Sequence, residues 1–117
     1  MKKILVVEDD LSIRELLIEI LEDEGYHVSS GSNGSEGLSS LELSTPDLII
    51  MDVMMPIMDG YAFRKELLKN SIWSSIPVIA MSAQAQGLEK LKLHGLTNFI
   101  SKPLEINHFL ETVSSLA

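Results

Sequence analysis

An α/β fold, a parallel sheet with helices on both faces, is predicted by three features of the 117-residue sequence. Short apolar runs rich in β-branched residues alternate five times with segments of helical period, the pattern of repeated βα units. The runs themselves, such as Ile4-Leu5-Val6-Val7, are continuous, as strands buried on both faces are. The length suits one hydrophobic core, so residues 1–117 are expected to form a single domain.

The elements follow in order. After the first strand, Ser12 with Glu15 reads as a capping box, and Ile13, Leu16, Leu17, Ile20 and Leu21 mark the buried face of a helix that ends at Gly25. Tyr26 to Ser30 is a second, weaker strand. The Gly/Ser-rich stretch 31–43 offers a helix only Leu38, Leu41 and Leu43. Thr45-Pro46 is a turn, residues 47–52 are a third strand, and Asp59 caps a helix over about 60–70 with Phe63 and Leu67 inward. Pro77 opens a fourth strand, Val78 to Met81, ending at Ser82. A short helix near 85–94 closes at Gly95, although Gln84-Ala85-Gln86-Gly87 is a poor helix start. Asn98 to Ser101 is a fifth strand, and Ile106, Phe109, Leu110 and Val113 set the buried face of a last helix.

Composition excludes several kinds of chemistry. There is no cysteine, which removes disulfides, thiolate metal sites and thiol nucleophiles and suits a reducing compartment. The opening Met1-Lys2-Lys3 reads as a native start, and the four apolar residues before Glu8 are too few for a signal-peptide core or a membrane span, so a cytoplasmic protein is expected. The net charge of -8 is local: residues 1–59 hold 13 acids against 3 bases, residues 60–117 hold 4 against 6. With no basic run longer than a pair, direct nucleic-acid binding is not expected. Glu15, Glu19, Glu22, Asp23 and Glu24 read as a solvated helix face. His27, His94 and His108 show no ligand spacing, and Met51, Met54, Met55 and Met58 read as packing residues.

The chemistry gathers at strand ends: Glu8-Asp9-Asp10 after the first strand, Asp52 after the third, Ser82 after the fourth, Lys102 after the fifth. In an open parallel sheet these ends lie on one edge, where ligands bind. Were the first and third strands neighbours, Glu8, Asp9 and Asp52 would crowd together, raising one another's pKa. A hard divalent cation relieves that crowding, and Mg²⁺ suits an all-oxygen site. A carboxylate can also be a nucleophile that forms an aspartyl-phosphate, given a metal, a cation and a hydroxyl donor around the transferring group. Lys102 and Ser82 are of the right types for the last two.

"ILVVEDD", "DLIIMDVMMPIMDG", "IAMSA" and "FISKP", in this order across the chain, resemble the receiver domain of bacterial two-component response regulators, of the single-domain, chemotaxis-regulator type. The resemblance implies a flavodoxin-like (βα)5 three-layer sandwich, a doubly wound five-stranded sheet in the order 2-1-3-4-5. It implies Asp52 as phosphoacceptor, and Asp9 as a direct and Glu8 as a water-mediated ligand of Mg²⁺ or Mn²⁺. The Met54 backbone carbonyl would be a further metal ligand. Ser82 matches the switch hydroxyl, Ala83 the small residue beside it, Lys102 the family lysine, Phe99 the aromatic switch, and Pro103 a cis proline. Asp10 matches no family role and is read as a residue at the start of the first helix. The Ser82-to-Lys102 interval is shorter than the family's usual one, so a short or shifted fourth helix is expected. Implied partners are a histidine kinase or histidine phosphotransferase and a downstream protein that reads the switched surface, with no membrane contact. The product is a signalling switch acting only on its own phosphorylation state, as a stand-alone regulator, a relay intermediate or part of a larger protein.

Two other functions fit less well. An aspartyl phosphatase generally wants a second carboxylate two residues after its nucleophile, where this chain has Met54. A flavin module would need a Ser/Thr/Gly-rich phosphate cradle after the first strand, where Glu8-Asp9-Asp10 would repel phosphate. The apolar Met54 side chain cannot orient an attacking water, so a moderately long-lived adduct is expected.

Overall fold

The computed structural model describes residues 2–83 and 88–117, except the side chain of Leu88. Strands β1 (Lys3–Val7), β2 (His27–Gly31), β3 (Leu48–Asp52), β4 (Val78–Ser82) and β5 (Asn98–Ser101) form one parallel sheet. Its order is β2-β1-β3-β4-β5, as expected. Helices α1 (Leu11–Asp23), α2 (Gly34–Leu43), α3 (Gly60–Leu68), α4 (Leu88–Leu93) and α5 (Ile106–Leu116) connect the strands and cover both faces.

Alternation along the strands sorts the core into two layers, because successive side chains point to opposite faces. Leu5 and Val7 of β1, Ile49 and Met51 of β3, and Val78 and Ala80 of β4 pack with Leu41, Phe63, Leu67 and Leu91 of α2, α3 and α4. Ile4, Val6, Leu48, Ile50, Ile79, Met81 and Ile100 pack with Leu17 and Leu21 of α1 and Phe109 and Val113 of α5. β3 is buried along its whole length.

Several local expectations are corrected. The cap of α1 is Asp10, not Ser12: the Ile13 N–H donates to Asp10 Oδ1 at 3.0 Å, which starts the helix at Leu11 and leaves Ser12 in its first turn. Leu16 is exposed although it lies in the apolar stripe. The sheet is covered by Leu17 and Leu21, and Leu16 turns to the side, toward a groove shared with Ile106, itself exposed. Leu43, at the last turn of α2, also faces solvent. α2 is capped by Asn33, whose Oδ1 accepts from the Glu36 N–H at 2.9 Å. The expected cap of α3 is met, Asp59 Oδ1 accepting from the Ala62 N–H at 2.9 Å. α3 ends at Leu68, and a 3₁₀ turn at Trp73–Ser75, not foreseen, leads into β4. α4 is short, as expected, and the poor helix start at 84–87 lies outside the described residues.

Candidate functional site

The strand ends converge as the topology requires. Glu8 follows β1 directly, its N–H donating to Gly31 O at 3.0 Å and so extending the pairing with β2. Asp52 closes β3, opposite Met81 of β4. The Lys102 N–H donates to Ser82 O at 2.9 Å, extending β4–β5 by one residue. Glu8, Asp52 and Lys102 continue the alternation of Val6, Ile50 and Ile100, so all three sit over the α1/α5 layer.

The side chains meet. Lys102 Nζ donates to Asp52 Oδ2 at 3.0 Å and lies 3.5 Å from Glu8 Oε1. The Met54 N–H donates to the other Asp52 oxygen, Oδ1, at 3.2 Å. One carboxylate oxygen each from Glu8, Asp9 and Asp52 lie within 4.8 Å of one another. Asp9 is exposed, whereas Glu8 and Asp52 are buried.

The electrostatics are those of an acid-rich pocket short of positive charge. Burial first, then the neighbouring Asp52 carboxylate, pushes Glu8 up to about 7, with Lys102 pulling the other way. For Lys102, burial favours loss of the proton, but its hydrogen bond and attraction to Asp52, together with Glu8, outweigh this and hold its pKa above the usual value. Glu8 Oε2 is buried and has no hydrogen-bond partner among the described residues. An orphaned buried acceptor beside two more carboxylates is what a hard cation with its waters would satisfy. The donor set is all oxygen, with no His or Cys, which fits Mg²⁺.

The remaining expected residues fall around this cluster. Met54 is exposed at the mouth, and Met51 and Met55 are core. Ser82 ends β4 and pairs in register with Ser101. Phe99, opposite Ala80, is 36% exposed, between core and solvent. The Lys102–Pro103 peptide is cis. Asp10 stands apart from the cluster as the α1 cap.

Three residues escaped the sequence reading. Arg14 Nη1 donates to Glu8 O at 2.8 Å, tying α1 to the end of β1. Gly60 permits a close approach: its N–H donates to Val53 O at 2.9 Å, and a Cβ there would stand 2.8 Å from Val53 Cα and 2.9 Å from Asp52 O. Arg64 is buried, its Nε donating to His94 O at 3.1 Å, and burial lowers its pKa. The Asp59-Gly60 pair signalled a helix start; for the two arginines no local pattern exists.

Comparison with known proteins agrees with this geometry. The family model described as "Response regulator receiver domain" matches residues 4–114. The chain spans about half the length of the first curated relatives it matches. It is also similar to Protein PilH of Pseudomonas aeruginosa, 30% identical over 99% of this chain and 98% of that one. Among solved structures, chemotaxis protein CheY4 of Vibrio cholerae superposes with a TM-score of 0.93 at 30% identity, covering 100% of this chain and 99% of that one. The response regulator TrrA of Thermotoga maritima, solved in complex with Mg²⁺-BeF, gives 0.89 at 32% identity with both chains fully covered. With its sheet order, its acid cluster and a family match over nearly its whole length, the chain belongs to the response regulator receiver domain family of two-component signalling.

Proposed function

We propose that this receiver domain accepts a phosphoryl group from a phosphohistidine donor onto Asp52 and so switches a protein-interaction surface. The observation that carries the reading is Asp52 itself: a buried carboxylate with Lys102 Nζ at 3.0 Å, in a cluster with Glu8 and Asp9. An Asp52 oxygen forms the new P–O bond as the donor's P–N bond breaks. Lys102 offers its ammonium to the charge that develops, and the Met54 N–H holds one Asp52 oxygen in place. Mg²⁺ or Mn²⁺, held by Glu8, Asp9, Asp52 and the Met54 carbonyl, would neutralise the transferring group. The Ser82 hydroxyl then serves the new phosphoryl oxygens, and Phe99, poised between core and solvent, follows it to alter the surface a downstream protein reads.

The domain thus catalyses only its own phosphorylation and dephosphorylation. Residues 1–117 act as one receiver domain, partnered by a histidine kinase or histidine phosphotransferase. We assign it to the cytoplasm, which a cysteine-free chain suits; among the described residues no helix is long and apolar enough to cross a membrane. Incubation with Mg²⁺ and a small acyl phosphate, followed by intact mass measurement, is expected to add one phosphoryl group to the wild type and none to Asp52→Asn. An unmodified wild type, or an adduct that survives the substitution, overturns the assignment.

A further inference from the structure

The loop of residues 53–60 is seated from two sides. At its base the Gly60 N–H donates to Val53 O, and the absence of a side chain at Gly60 lets the loop lie directly against Asp52 and Val53. On its far side the Gly34 N–H, at the first position of α2, donates to Met58 O at 3.1 Å. A Cβ at Gly34 would stand 2.6 Å from Met58 Cγ, 2.8 Å from Met58 Sδ and 2.9 Å from Met58 O, so no other residue fits without moving the loop. Between these holds the chain turns tightly, the Met58 N–H donating to Pro56 O at 2.7 Å, and Ile57 adopts a left-handed backbone at φ 68°. A β-branched residue keeps that conformation only where its surroundings over-determine it.

We propose that Gly34 is a positioning residue for the 52–54 segment. Its N–H and its missing side chain fix Met58, Met58 fixes the tight loop, and the loop presses through Gly60 on Asp52 and Val53, setting where the Met54 backbone stands. This rests on the reading of Asp52 and Met54 as the metal- and phosphoryl-holding segment. α2 therefore contributes to the site without any side chain in it.

Gly34→Ala is tested against Leu41→Ala, a core truncation in the same helix that leaves the 34–58 contact intact. By Mg²⁺ calorimetry, Gly34→Ala is expected to raise the dissociation constant about tenfold, as loss of a supporting contact to a metal site does. Leu41→Ala is expected to melt earlier yet bind Mg²⁺ within about twofold of wild type, as a remote change should. In metal-free protein, the amide resonances of Met54 and Gly60 should move in Gly34→Ala and stay in Leu41→Ala. Gly34→Ala with wild-type affinity and unmoved amides overturns the proposal, as does equal weakening by both variants. Should Gly34→Ala fail to fold, Gly34→Ala/Met58→Ala removes the Cγ and Sδ contacts and keeps the one to the carbonyl. A smaller rise is then expected, and wild-type behaviour overturns the proposal. No heat from wild-type protein instead counts against the metal reading, and the metal-free amides still decide the positioning.

Discussion

The two helical layers hold the same sheet by different means. On one side α1 and α5 bury Leu17, Leu21, Phe109 and Val113 against alternate members of the strands, a contact of apolar side chains beneath Glu8, Asp52 and Lys102 to which Arg14 of α1 adds its hydrogen bond to Glu8 O. On the other side the helices are shorter or richer in small residues, and polar contacts add to the packing. The Gly34 N–H bonds the β3–α3 loop, Arg64 bonds the turn after α4, and the Tyr61 ring lies 4.8 Å from that of His94 and 4.1 Å below Lys90 Nζ. The first layer is a floor for the acid cluster; in the proposed switch, the second is the side that expresses a change at Asp52.

The strongest way to break this contrast lies in the floor. Phe109→Ala, at a fully buried position, is expected to cost about 3–5 kcal/mol in denaturant unfolding, with Mg²⁺ affinity of the folded fraction kept. A large loss of affinity with little loss of stability would mean that the floor, too, is part of the switch.

Next in size is the pH dependence of the acid cluster above that floor. The native pKa of Glu8, about 7, stands above its ordinary value of 4.5, so the folded state binds this proton more tightly than the unfolded state. In chelator, its contribution should be fully present below about pH 4.5 and lost as pH rises to about 7, an effect of about 3 kcal/mol. Glu8→Gln should flatten that slope, and Mg²⁺ should stabilise the wild type more at pH 8 than at pH 5. A wild type whose metal-free stability rises between pH 5 and 7 would contradict the burial of that charge.

The smallest effect is expected in the loop that the second layer seats. Ile57→Gly relieves a left-handed β-branched residue and should raise the urea midpoint, adding up to about 1 kcal/mol to the free energy of unfolding. A lower midpoint would show that the exposed isoleucine side chain contributes packing that outweighs its backbone strain.

The same contrast governs what could be read beforehand. β1, β3, β4, α1 and α5 announce themselves because their burial is written in apolar runs and periodicity, down to Phe109 and Val113, whereas β2 is largely exposed and Ile106, expected on the buried face of α5, faces solvent. α2 announces itself only through Leu38 and Leu41, because the fit of Gly34 and Gly37 against Met58, Phe63 and Val7, which also holds it, is recorded by no periodicity. Asp10 and Ser12 are both good caps, and only the backbone decides between them. The apolar stripe of α1 is wider than the face that meets the sheet, so Leu16 was placed wrongly. Glu8, Asp9, Asp52, Ser82 and Lys102 were legible as polar groups terminating apolar runs, while the order of the strands came from the family resemblance. The holds of Arg14 on Glu8 O and Arg64 on His94 O join residues of types that serve equally well on a surface, so sequence carries no sign of them.

Trp73, the sole indole of the chain, lies half-buried against the α2–α4 layer, in the turn preceding β4 and hence at the edge of the sheet remote from Asp52. The length of β4 stands between its indole and the acid cluster. Emission that shifts when an acyl phosphate is added would therefore be an optical record of movement relayed along that strand, obtained without any label.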